Sequence, residues 1–93
     1  FVNTPELRFE CPEERKFVVA TEVAQRMRKA GADVVDIDGV RVTNEDGWWL
    51  LRASNTQAVL VARVEARDQA GLDRLKGQLF AELTASGVQP PSI

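Results

Sequence analysis

The sequence predicts an α+β domain: one antiparallel sheet with two helices packed on one face. Three observations carry this. Five stretches alternate in apolar pattern or are dense in Val, Leu and Trp: "ELRFE", "DVVDID", "VRVT", "WWLLRA" and "AVLVARVEA". The last four follow one another through short links, which favours antiparallel pairing. Two stretches of helical period, one before and one after those four strands, each carry a single apolar stripe, and a shared sheet face satisfies both stripes.

Taken in order, "FVNTP" reads as an extended entry, because Pro5 disfavours helix at Thr4. "ELRFE" alternates Leu7 and Phe9 with charged residues, as a short strand does. "CPEERKFVVATEVAQRMRKAG" is the first helix. Pro12 suits its first position, Glu13 and Glu14 its positive end, Arg26, Arg28 and Lys29 its negative end, and Gly31 its stop. Phe17, Ala20, Ala24 and Met27 are expected to face the core. "DVVDID" and "VRVT" are strands around Gly39, and "NEDG" is a turn in which Gly47 supplies backbone freedom. "WWLLRA" and the longest strand, "AVLVARVEA", flank a polar link. Asp68 then caps a second helix, whose stripe is Leu72, Leu75, Leu79 and Leu83. Gly71 and Gly77 weaken that helix, and Gly87, Pro90 and Pro91 end it.

Composition narrows the function. The chain has 93 residues, enough for a single domain, residues 1–93, that buries roughly 60–65% of its extended-chain surface. Apolar residues are 44% and charged residues 28%, with net charge −2 and pI near 5.1. That balance argues against nucleic acid as a partner. No run is long enough to span a membrane. The lone Cys11 forms no internal disulfide, and the absence of histidine removes the commonest general base and metal ligand. The opening without methionine reads as a piece of a longer chain or a processed product.

Several candidate sites have bland readings. Asp36 and Asp38 fall on the same side of a strand and read as a solvated face. "NEDG" lacks the ligand spacing of a calcium loop. Cys11 beside Pro12 is placed as a helix N-terminal thiol but has no activating histidine. Trp48 and Trp49 point to opposite faces, one to the core and the other to solvent or a partner. Val59 and Val61 make the outer face of the longest strand partly apolar.

The polar link "RASNT" is different. Arg52 offers a planar fork suited to phosphate, Ser54 and Thr56 offer hydroxyls, and Asn55 offers an amide. Successive backbone N–H groups in such a turn can form an anion nest. No residue within it is acidic. On composition and spacing alone, an ordinary hairpin loop is the leading reading.

The wider segment Asp38 to Ala66, "DGVRVTNEDGWWLLRASNTQAVLVARVEA", resembles the C-terminal domain of bacterial phosphomannomutase/phosphoglucomutase, of the α-D-phosphohexomutase superfamily. The shared pattern is D-G-V-R-V, a turn, G-W, R-A-S-N-T, and a long strand ending in V-E-A. The resemblance implies a four-stranded antiparallel sheet with two helices, similar to the TATA-binding-protein fold. It implies that Arg52, Ser54, Asn55 and Thr56 grip the non-reacting phosphate of a glucose or mannose phosphate. The parent would interconvert hexose 1- and 6-phosphates through a bisphosphorylated intermediate. Residues 1–5 would serve as hinge, and the domain would help close the active site. The family's phosphoserine, magnesium loop and sugar-reading loop lie on other domains, so this chain would carry no catalytic or metal residue and no cofactor. The parent would be cytoplasmic and would bind magnesium elsewhere. Gln57 and Ala58 depart from the family's usual X-Pro. The alternative is a non-catalytic regulatory or protein-interaction module using the tryptophan-valine face.

Overall fold

The computed structural model describes residues 1–89. It contains β1 (Val2–Asn3), β2 (Leu7–Glu10), α1 (Lys16–Lys29), β3 (Asp33–Val35), β4 (Val40–Asn44), β5 (Gly47–Ala53), β6 (Val59–Ala66) and α2 (Gln69–Ala85). Every strand pairing is antiparallel, and the order across the sheet is β1-β6-β5-β4-β3. β2 also pairs with β6, on the same side as β1 but further along it: Val2 lies opposite Ala66 and Phe9 opposite Leu60. The expected count of four strands is therefore exceeded in two ways. Asp33–Val35, within the stretch read as a strand, forms a short outer strand beyond the four that the resemblance implies, and the opposite edge is one line of chain broken at Thr4–Glu6. Pro5 lacks the N–H that would continue the ladder. Thr4 bridges the break: its N–H donates to the Val64 carbonyl at 2.9 Å, and its hydroxyl accepts from the Val64 N–H at 3.1 Å. Residues 2–4, within the stretch read as a hinge, thus pair with the sheet in this structure.

Both helices cover one sheet face. The inward residues of β4, β5 and β6 include Val40, Val42, Trp49, Leu51, Leu60, Ala62 and Val64, and all are buried. The Leu72, Leu75, Leu79 and Leu83 stripe of α2 packs on them as expected. Trp49 is the core tryptophan, and its indole N–H donates to Gln78 Oε1 at 2.8 Å, so burial leaves no orphan donor. Asp68 caps α2 by accepting from the Gly71 N–H at 2.7 Å. At the other end, Gly87 closes α2, while Pro90 and Pro91 lie outside the described residues. Arg26 ties the helices together: Nε donates to Glu82 Oε1 at 2.7 Å and Nη2 to Ser86 Oγ at 2.7 Å.

The first helix differs from expectation at its start. Pro12 to Arg15 form a turn in which the Pro12 carbonyl accepts from the Arg15 and Lys16 N–H groups. The helix proper begins at Lys16, so Glu13 and Glu14 precede it rather than fill its first turn. Its buried face is Lys16, Val19, Val23, Ala24 and Met27. Phe17, expected in the core, is 56% exposed, and Ala20 is half-buried. The apolar pattern "FVVA" is dense enough to fit two neighbouring stripes, and packing selects the one through Val19.

The "DVVDID" strand also stops early. β3 ends at Val35, and Asp36–Gly39 turn the chain, with Asp38 at φ 58°. Asp36 and Asp38 therefore do not share a strand face. Asp36 pairs instead with Arg28 of α1 at 2.6 Å. Gly39 is needed here for space as well as for its φ of 117°: a Cβ would stand 2.7 Å from the Leu51 carbonyl oxygen and 2.8 Å from Arg52 Cβ. The turn can lie against the Arg52 backbone only because residue 39 has no side chain. Gly47, just after the two-residue turn Glu45–Asp46, similarly lets β5 lie close against β6, since a Cβ there would meet the Glu65 carbonyl oxygen.

Candidate anion-binding site

Arg52 sits near the end of β5 with its side chain on the face away from the helices. On that face the register runs Arg8, Val61, Arg52, one residue each from β2, β6 and β5. Cross-strand neighbours on one face stand about 4.5–5.5 Å apart. The two arginine stems therefore flank Val61, which is only 7% exposed although it points away from the core. Of the outer apolar face expected around Val59 and Val61, Val61 is covered in this way and Val59 is half-buried. Trp48, its other member, is half-buried beneath Arg41, whose guanidinium lies 4.5 Å from the indole centroid, and its N–H donates to Glu65 at 3.3 Å.

The Ser54–Ala58 loop leaves β5 beside this row. Ser54 donates its N–H to the Val59 carbonyl at 3.0 Å. Its hydroxyl oxygen accepts from the Thr56 N–H at 3.3 Å and from the Gln57 N–H at 3.2 Å. Two amides that an anion nest would use are thus turned onto the serine. The Ser54 hydroxyl still has its own proton to donate. The Asn55 amide and Thr56 hydroxyl are exposed, and neither side chain is hydrogen-bonded to another described residue. Arg52 is half-buried and joins none of the ion pairs among the described residues. All four residues singled out in the sequence are brought together around a concavity of about 330 Å³, with Glu6, Arg8, Gln57 and Val61 completing its wall.

Arg8 and Glu6 were not apparent as site residues in the sequence. Arg8 bonds Gln57 Oε1 and pairs with Glu6 at 3.6 Å. One neighbour adds a second guanidinium and the other a carboxylate, so the absence of acid within "RASNT" does not describe the whole wall. The signal was topological: β2 must pair with β6 before residue 8 can reach residue 57.

A second concavity, about 360 Å³, lies on the other side of Arg52, between α1 and the 36–39 turn. Its wall includes Thr21, Arg28, Asp36, Asp38 and Asn55. Arg28 is committed to Asp36, whose carboxyl is held below the usual carboxylate range by that hydrogen bond. Here two arginines, Arg28 and Arg52, face two carboxylates, whereas the first concavity offers two arginines against one. The geometry therefore favours the outer concavity for anions.

Cys11 is buried, and burial raises its thiol pKa. It lies before the Pro12 turn rather than on the first turn of α1, so the helix N-terminus does not activate it. No group of three or more His, Cys, Asp or Glu side chains that could hold a metal ion occurs among the described residues. None of their helices is long and apolar enough to cross a membrane.

Known proteins match this chain along most of its length. The family model for the phosphoglucomutase/phosphomannomutase C-terminal domain matches residues 6–82. A phosphomannomutase/phosphoglucomutase of Pseudomonas syringae pv. tomato is 42% identical over 82 residues, which is 88% of this chain and 18% of that protein. A phosphoglucomutase of Neisseria meningitidis is 39% identical over 87 residues, 91% of this chain and 19% of its own length. A crystal structure of a phosphoglucomutase/phosphomannomutase family protein from Burkholderia thailandensis superposes with a TM-score of 0.77 at 36% identity. It covers 92% of this chain and 18% of its own. The chain spans less than a fifth of the relatives it matches. With the two-helix antiparallel architecture, these matches place the chain in the phosphoglucomutase/phosphomannomutase C-terminal domain family.

Proposed function

We propose that the chain is the phosphate-gripping domain of a cytoplasmic phosphohexomutase that interconverts hexose 1- and 6-phosphates. Arg52 supplies a charge-assisted fork to the non-reacting phosphate. The Ser54 and Thr56 hydroxyls and the Asn55 amide add neutral donors, and Arg8 stands by as a second cation. The observation that carries this reading is the convergence of Arg52, Ser54, Asn55 and Thr56 on one concavity, with Arg52 free of any ion pair among the described residues. Donors that read charge rather than sugar shape suit a reaction whose bisphosphorylated intermediate must present either end. In the parent the domain helps close the cleft and exclude water from the phosphoenzyme. The reacting serine and the magnesium site belong to other domains, and the isolated chain does not turn over substrate.

One clamp without its partners binds weakly, in the millimolar range or about 4 kcal/mol. A two-dimensional NMR titration with inorganic phosphate or glucose 1-phosphate tests the assignment. Shifts are expected at residues 52–57 and Arg8, and Arg52→Ala abolishes them. Shifts scattered elsewhere, or unaffected by that substitution, refute it.

A non-catalytic interaction module remains the second reading. It is favoured by the exposure of Phe17, Val18, Val35 and Ile37. It expects no phosphate response in the same titration.

A further inference from the structure

Lys16 is the most anomalous charged residue in the chain. It is 1% exposed, while lysine is among the residues least often fully buried. It also opens α1, where the helix dipole disfavours a cation. Each placement costs stability unless partners offset it. The partners are specific. Nζ donates to the Gln57 carbonyl oxygen at 2.9 Å and pairs with Glu13 at 2.7 Å. The first bond joins the start of α1 to the exit of the anion loop, 41 residues away in sequence.

Few other bonds hold the backbone of that exit. Among the described residues the Thr56 and Gln57 N–H groups bond only the Ser54 hydroxyl, at 3.3 and 3.2 Å, both long for N–H···O bonds, and Arg8 holds Gln57 by its side-chain oxygen rather than its backbone. Ala58 brings no ring to fix its φ. Its carbonyl is held by the Cys11 N–H at 3.0 Å, on the residue after the one Lys16 grips. The stretch from Cys11 to Lys16 thus holds two successive carbonyls, Gln57 and Ala58, and the ammonium is the only charged donor of the pair.

We propose that Lys16 is a positioning residue for the anion loop: its buried ammonium fixes the Gln57 carbonyl, and so the turn that presents Ser54, Asn55 and Thr56. It does not touch the anion. The inference rests on the anion-loop reading only for its functional consequence, because the bond and its effect on loop order stand without any ligand.

Lys16→Met tests it, since methionine keeps an unbranched stem and removes the donor. In the 93-residue chain, amide exchange of Thr56 and Gln57 is expected to rise roughly tenfold or more, while central amides of β5 and β6 rise only as far as global stability falls. Inorganic phosphate affinity should fall by a similar factor, with Arg52→Ala silencing the response in either background. Unchanged loop exchange, or an increase uniform across the sheet, overturns the proposal. If wild type shows no phosphate response, the anion-loop reading fails, and the exchange pattern still decides the role of Lys16. Should Lys16→Met not fold, wild type decides alone. The Lys16 ammonium protons should be observable by NMR at neutral pH under conditions where exposed Lys29 is silent, and their absence overturns the assignment.

Discussion

Adding one methyl group at Gly77 and at Gly39 should move stability in opposite directions. Gly77 lies inside α2, and a Cβ built there meets nothing within 4 Å. Alanine then gains the helix propensity that glycine forfeits, about 1 kcal/mol, part of it through a less diverse unfolded chain. For a domain of this size that raises the melting temperature by roughly 4–8 °C. Gly39 has φ 117°, and the same methyl would stand 2.7 Å from the Leu51 carbonyl oxygen and 2.8 Å from Arg52 Cβ. Backbone strain of about 1–3 kcal/mol adds to overpacking of about 1–3 kcal/mol. Gly39→Ala should therefore cost at least about 2 kcal/mol. Whatever strain is relieved by movement should displace Arg52. Urea unfolding followed by tryptophan fluorescence measures both, with unchanged slopes showing that the native and denatured states are otherwise the same. A neutral or destabilising Gly77→Ala would refute the reading of α2 as unstrained and open at that point. A neutral Gly39→Ala would refute the close approach of the 36–39 turn to Arg52.

Acid should weaken the fold through identifiable groups. Asp36 is held low by Arg28, Asp46 by Arg74, and Glu22 first by the Ser86 hydroxyl and then by Arg15. Depressed folded-state values mean the unfolded chain binds protons first. Stability is thus fully present above the ordinary carboxylate range and is lost as pH falls through it, so the urea midpoint should be flat above about pH 5 and drop below about pH 4. A midpoint that holds or rises on acidification contradicts these pairings. Cys11, buried with a raised pKa, should react with a thiol reagent near pH 8 far more slowly in the native chain than in urea. Equal rates would show that it is accessible.

Much of the fold was legible because local chemistry and packing agreed. The Leu72–Leu83 stripe, the Asp68 cap and the antiparallel pairing of the successive strands β3 to β6 needed no long-range information. Arg52 and the three polar residues after it were also readable, since they adjoin in sequence and in space. The failures share one cause. Phe17 and Val19 are equally plausible as core residues until the sheet chooses between two stripes. Asp36 was read as part of a strand because nothing local reveals Arg28 waiting on α1. Glu6, Arg8 and Lys16 reach the loop only through the pairing of β2 with β6 and the placement of α1, and no short window of sequence contains both partners.

The break at Thr4–Glu6 has a meaning for solubility. A sheet edge exposes unpaired backbone groups that can recruit a strand from another molecule. In this chain the longest and most apolar strands, β5 and β6, are interior to the sheet. One edge is the three-residue β3, and the other offers two residues, a proline-containing gap and four more. A foreign strand finds no long register on either side. The same Pro5 that interrupts the ladder thereby helps keep "VLVARVEA", a segment well suited to cross-molecule pairing, engaged with its own chain.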